Sequence, residues 1–119
     1  MKLGVFTTLL GKIPFAEACK CFKSLGIEMV EIGCGAYPGK SHADPDILLN
    51  DEAKIQEFKA TLKEYDLEIS ALSCHGNPVH PNKEIAEKHD RDMRNAILLA
   101  EKLGVRNINT FSGCPGDCE

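Results

Sequence analysis

A chain of 119 residues with a formal net charge of -4 and 43% hydrophobic residues is one domain's worth of soluble protein, and a compact domain of that size buries roughly two-thirds of its unfolded surface. Acids and bases are interspersed, so there is neither a basic footprint for nucleic acid nor a polybasic membrane patch. No stretch approaches the ~20 consecutive apolar residues of a membrane span.

The first residues, M-K-L-G-V-F-T-T-L-L-G, are apolar, but Gly4, Thr7 and Thr8 break the run and no small-residue cleavage site follows. Six cysteines stand at 19, 21, 34, 74, 114 and 118. Without an export signal, and with regular helices and strands, free thiols in a cytoplasmic protein are expected rather than a disulfide framework.

Lys2 to Thr7 reads as a short strand, and Pro14 opens a helix where its missing N–H does no harm. Phe15, Ala18, Cys19, Phe22 and Leu25 form that helix's apolar stripe. Gly26 is its left-handed cap, Ile27 to Gly33 is a second strand, and Gly33 to His42 a loop. Asp44 before Pro45 predicts a short capped turn. A longer helix follows from Asp51, with Ile55, Phe58, Leu62 and Tyr65 inward and Asp66 closing it.

The third strand, from Leu67, runs into the polar loop C-H-G-N-P-V-H-P. From about Asn82 a helix places Ile85, Met93, Ala96, Ile97, Ala100 and Leu103 on one face, closes at Gly104, and leads to a fourth strand over Val105 to Phe111. The caps Gly26, Asp66 and Gly104 are spaced 40 and then 38 residues apart, the period of one strand-helix unit. The predicted order, βαβαβαβ, implies a parallel sheet with right-handed crossovers.

An open doubly wound sheet and half of a (β/α)8 barrel both fit that order, the full barrel needing ~250 residues. Superposing the caps puts Glu31, Ala71 and Asn109 on one face, and Val30, Ile32, Ser70, Leu72, Ile108 and Thr110 on the other. A doubly wound sheet is apolar on both faces. A polar inner face suits a barrel lumen, so the expected fold is an α/β half-barrel of four strands and three main helices.

Chemistry in such a fold gathers where strands end. His75 follows strand three in phase with Ala71 and Ser73, so it points toward the lumen, where imidazole can ligate a metal or bond a substrate hydroxyl; the alternative is a histidine satisfied by loop carbonyls. His80 reads as a rim residue within reach of substrate, His42 as a loop residue and His89 as a helix residue. Glu31, an acid on a buried strand, costs several kcal/mol unless paired, so it is either a structural anchor or a lumen acid that positions substrate.

Cys34, Cys74 and Cys114 lie just past three strand ends. Three thiolates can bind zinc, but no C-x-x-C pair exists and small buried thiols are a sufficient account; Cys118 reads as an exposed tail thiol. The stretch G-C-G-A-Y-P-G-K-S departs from a phosphate loop, lacking glycine where Cys34 stands and a helix starting at the Lys-Ser pair. Lys40 could still meet an anionic group such as a sugar phosphate. F-S-G-C-P-G-D, from Phe111 to Asp117, is a strand-end turn that serves equally as a substrate cradle or an ordinary turn.

The segments V-E-I-G-C-G-A-Y-P-G, I-S-A-L-S-C-H-G-N-P-V-H-P and T-F-S-G-C-P-G-D resemble the first half of the sugar phosphate isomerase/epimerase family, xylose isomerase-like barrels related to endonuclease IV. The resemblance implies a (β/α)8 barrel whose divalent metal (Mn, Mg or Zn) orients a sugar's vicinal oxygens while acids move a proton or hydride. It maps His75 onto a strand-three histidine that ligates metal in the endonuclease branch and faces substrate in sugar-active members, and Glu31 onto a strand-two acid. The family's metal-binding Glu, Asp, His and Glu lie on later strands that this chain lacks. The expectation is therefore an N-terminal half-barrel, inactive and without a cofactor of its own, whose substrate contacts are His75, Glu31, Asn109, His80 and Lys40. Its open edges predict a homo-oligomer. Two alternatives are a non-catalytic subunit that completes another chain and an endonuclease-like enzyme on abasic DNA, the latter disfavoured by the acidic charge.

Overall fold

A computed structural model describes residues 1–116, so Asp117 and Cys118, both singled out in the sequence, lie outside the described residues. The elements run β1 (Gly4–Phe6), a 3-10 turn (Thr7–Leu10), α1 (Phe15–Ser24), β2 (Met29–Ala36), α2 (Pro45–Leu48), α3 (Glu52–Glu64), β3 (Glu68–His75), α4 (Lys83–Leu103) and β4 (Ile108–Asn109). The four strands form one parallel sheet in the order β1-β2-β3-β4. This is an α/β fold with the strand order of a partial TIM barrel.

Local chemistry sets the element ends. Asp44 and Asp51 accept N–H bonds from Asp46 and Lys54 at 2.9 and 3.1 Å, and Asn82 accepts from Glu84 at 2.9 Å, so α2, α3 and α4 each start on a side-chain cap. All three turns that return the chain to the sheet pass through the left-handed region, with φ of +77° at Gly26, +50° at Asp66 and +71° at Gly104. Only the middle one is taken by a residue with a Cβ.

The helices cover a single face of the sheet. Val30, Ile32, Cys34, Leu72 and Cys74 from the strands pack with Ala18, Cys19, Phe22, Ile55, Phe58, Leu62, Ala96, Leu99 and Ala100 from the helices in one buried cluster. Glu31, Ala71 and Ser73 alternate with these strand residues and so take the other face.

Several boundaries and faces differ from expectation. β2 does not stop at Gly33 but continues to Ala36: the register shifts by one residue between Gly33 and Gly35, and pairing resumes with Gly35 opposite Cys74 and Ala36 opposite His75. The following loop folds back so closely that a Cβ on Gly33 would sit 2.9 Å from the Pro38 Cβ. β1 and β4 are shorter than expected. Asn109 pairs with Ser73 rather than with Ala71. The two-residue offset keeps it on the same face, and such stagger between strands is what lets a tilted sheet close. Ser70 sits at an irregularity where Val30 pairs with Ile69 but Glu31 with Ala71, and its hydroxyl donates to the Val30 carbonyl at 3.2 Å.

Leu25, Ile85 and Ile97, expected inward, are 68%, 37% and 50% exposed. The buried stripe of α4 is His89, Asp92, Ala96, Leu99 and Ala100. Small Ala96 and Ala100 let the helix approach the strands, and two polar residues occupy the face where it crosses the strand ends.

Asp92 explains why a charge is tolerated there. Its carboxylate accepts from the Ala36 N–H and from the Lys88 ammonium, both at 3.0 Å, clamping α4 to the end of β2. A Cβ on Gly35 would lie 3.1 Å from the Asp92 Cβ. Burial pushes the Asp92 carboxyl up, but the Lys88 ammonium and the Ala36 N–H outweigh it and hold it below its ordinary value of 3.8.

Two predictions follow from these joints. Replacing Asp92 by Asn should cost ~1.5–3 kcal/mol at pH 7, the worth of hydrogen bonds to a charged group. Because the folded carboxyl titrates below its unfolded counterpart, that contribution is complete above pH 3.8 and fades as pH falls through the lower folded value; urea unfolding of wild type and D92N should therefore converge in acid. At the caps, Gly104→Ala should lose ~1 kcal/mol to left-handed strain, whereas Asp66→Gly relieves that strain but gives up the exposed Lys23 ion pair at 2.9 Å, so the urea midpoint should move less than in Gly104→Ala.

Candidate functional site

The uncovered face of the sheet carries a short polar ladder that rises to an aromatic rim. Glu31 is in register with Phe6 on one side and Ala71 on the other. Its carboxylate accepts a hydrogen bond from the Ser73 hydroxyl, which satisfies the half-buried acid from the neighbouring strand. Ser73 is fully buried and in register with Gly33 and Asn109. The β3 strand adds His75 two residues above Ser73, with Cys74 between them facing the core.

His75 is held by rings. Phe111 stacks on it at a centroid distance of 4.6 Å and an interplanar angle of 17°, and Phe6 lies 6.4 Å away at a tilt. The His75 carbonyl accepts from the Tyr37 N–H at 3.1 Å, so the β2 loop is tied to the same point. Tyr37, Phe111, Ser112, Thr110, Asn77 and Gly76 line a cleft of about 580 Å³ beside this stack. Tyr37 and Phe111 are 64% and 54% exposed, which leaves aromatic surface at the rim.

The loops over the strand ends are cross-tied. Asn77 donates through Nδ2 to the Cys114 carbonyl at 2.7 Å and accepts through Oδ1 from the Cys114 N–H at 3.1 Å. Its own N–H donates to His89 Nδ1 at 2.8 Å, so Nδ1 carries no proton in this arrangement. His89 lies under the loop, with Tyr37 edge-on at 5.1 Å, and a Cβ on Gly76 would come within 2.9 Å of the His89 Cβ.

Of the five residues singled out as substrate contacts, Glu31, Asn109 and His75 share the uncovered face, with His75 at the rim. Glu31 and His75 are four strand residues apart, ~13 Å of extended rise. His80 accepts from the Asn82 N–H through Nδ1 at 3.0 Å, at the start of α4. Lys40 is ion-paired with Asp46 and lies 3.6 Å from Asp44, and with Ser41 and His42 it lines a separate depression. His42 is buried rather than free in a loop, its Nε2 3.0 Å from the Ile13 carbonyl.

The thiols do not ring the rim. Cys34 and Cys74 face the helices, and burial pushes their thiols up to about 12 and about 11. Cys114 is exposed in the last loop. Among the described residues no three His, Cys, Asp or Glu side chains converge as a metal site.

Asn77, Tyr37 and His89 were not singled out as site residues in the sequence. Asn77 has a local signal, since Gly-Asn-Pro after a strand is a side-chain-closed turn. The other two depend on contacts between distant segments.

Two comparisons bear on this arrangement. The uncharacterized protein YfiH of Bacillus subtilis (strain 168) is 34% identical over 116 residues, covering 97% of this chain. The chain spans about a third of the length of that curated relative, 36%. Residues 20–119 match the profile of the family described as xylose isomerase-like TIM barrel. With its four staggered parallel strands, helices on one face and polar ladder on the other, the chain belongs to the xylose isomerase-like TIM barrel family.

Proposed function

We propose that this chain supplies four βα units of a barrel that isomerises or epimerises a sugar or sugar phosphate, with the substrate seated at the rim formed by the β2, β3 and β4 ends. One observation carries the reading. The uncovered face holds a satisfied acid, Glu31 bonded to Ser73, below an imidazole flanked by exposed aromatic rings. A carboxylate held in place accepts sugar hydroxyls, imidazole can donate or accept one more hydrogen bond, and ring faces pack on the C–H faces of a sugar.

The described residues do not make a metal site, because His75 stands apart from other ligands and Glu31 is engaged by Ser73.

The same reading implies a partner. β1 and β4 are the outer strands of the sheet, and their unpaired backbone groups need cover. A second copy would bring the strand count to the eight of a closed barrel.

Two measurements test this. Titrating the isotope-labelled chain with D-xylulose 5-phosphate should give saturable NMR shifts at residues 73–77 and 110–114, and Glu31→Gln or His75→Ala should weaken binding about tenfold, ~1.4 kcal/mol. An unperturbed wild-type spectrum at millimolar sugar phosphate would overturn the substrate assignment. Light scattering should return twice the chain mass of 13.0 kDa; a monomer at micromolar concentration would reject self-pairing.

A further inference from the structure

We infer that Asn77 is a positioning residue whose side-chain amide latches the β4 loop so that Phe111 lies flat on His75. The inference deepens the sugar-binding reading of this rim, but its first readout does not depend on it.

The latch is a reciprocal pair between one side chain and one backbone unit. Nδ2 donates to the Cys114 carbonyl at 2.7 Å, and Oδ1 accepts from the Cys114 N–H at 3.1 Å. One side-chain amide thus satisfies both backbone groups of Cys114, beyond the point where β4 itself has ended at Asn109. Oδ1 also accepts from the Val79 N–H at 3.2 Å, closing the turn that carries the latch. The Asn77 backbone is anchored separately, its N–H on buried His89 at 2.8 Å.

The captured loop is shaped to be held. Gly113 has φ +88°, and a Cβ there would lie 2.7 Å from Asn77 Oδ1 and 2.9 Å from Val79 Cγ2, so the loop comes closer than a side chain allows. At the loop's other end Thr110 donates through Oγ1 to the Cys74 carbonyl at 2.9 Å. Phe111 lies between these two ties, stacked 4.6 Å from the His75 ring while remaining 54% exposed. Solvent exposure of that size gives Phe111 little packing to hold it against rotation into water. The two ties, spanning 37 and 36 residues, hold its position together with the Tyr37 ring at 6.5 Å, and Asn77 supplies the tie on the Cys114 side.

The latch predicts a local signature at His75. In wild type the His75 ring protons, which lie under Phe111, should resonate upfield. In Asn77→Ala they should move to the positions they take in Phe111→Ala, with the shifts of β1 and the core strands unchanged. Asn77→Asp is the second variant, because it keeps the acceptor for the Val79 and Cys114 N–H groups and loses only the bond to the Cys114 carbonyl; it should give the same His75 shift even if the alanine variant folds poorly. His75 resonances in Asn77→Asp that match wild type would overturn the latch. If the wild-type rim binds D-xylulose 5-phosphate, both variants should also weaken it roughly tenfold. Absence of binding by wild type would sink the sugar reading and leave the His75 test decisive for the latch.

Discussion

Everything in this molecule follows from helices packing on one side of a parallel sheet. Each strand must bury alternate residues against α1, α3 or α4, which fixes Val30, Ile32, Cys34, Leu72 and Cys74 as apolar or thiol. The residues between them are then free of the hydrophobic requirement. Glu31, Ser73, His75 and Asn109 occupy these released positions. A buried face on one side thus makes a chemically permissive face on the other, and the parallel strand direction brings its polar residues and loops to a common rim.

Joining the helices to that rim raises an electrostatic problem, because α4 crosses the ends of β2 and β3 where backbone N–H groups fall outside the ladder. Asp92 and His89 answer it from the buried side of the helix: one accepts from Ala36, the other from Asn77. A buried acceptor left without its donor costs about as much as the bond is worth. These two side chains therefore fix where the β2 and β3 loops leave the sheet, and so where Tyr37 and Asn77 stand.

Which features were legible in the sequence depends on how local their cause is. The caps at Gly26, Asp66 and Gly104, the helix starts at Asp44, Asp51 and Asn82, and the alternation along β2 and β3 rest on the backbone preferences of a few adjacent residues, and they could be read directly. The α4 stripe was legible in part: Ala96 and Ala100 are buried and Met93 and Leu103 pack on the core as expected, but Ile85 and Ile97 are exposed. Ala96 and Ile97 differ by one helical step, and hydrophobicity favours the larger residue while the close approach of helix to sheet favours the smaller. His89 and Asp92 look like solvent-facing residues until their N–H partners, 12 and 56 residues away, are known.

The extension of β2 through Gly33, Cys34 and Gly35 has the same origin. Glycines flanking a cysteine read as loop, and in isolation they lower strand propensity. Here the absence of side chains is what pairing demands, since Pro38 folds over Gly33 while Asp92 and Cys74 crowd Gly35. The strand survives because the ladder to β3 continues beneath those contacts. Its continuation to Ala36 gives Asp92 an N–H to clamp and brings Tyr37 onto the His75 carbonyl. The rim is thus built from positions where close approach overrides local propensity, which is why the fold was easier to read from the sequence than the site.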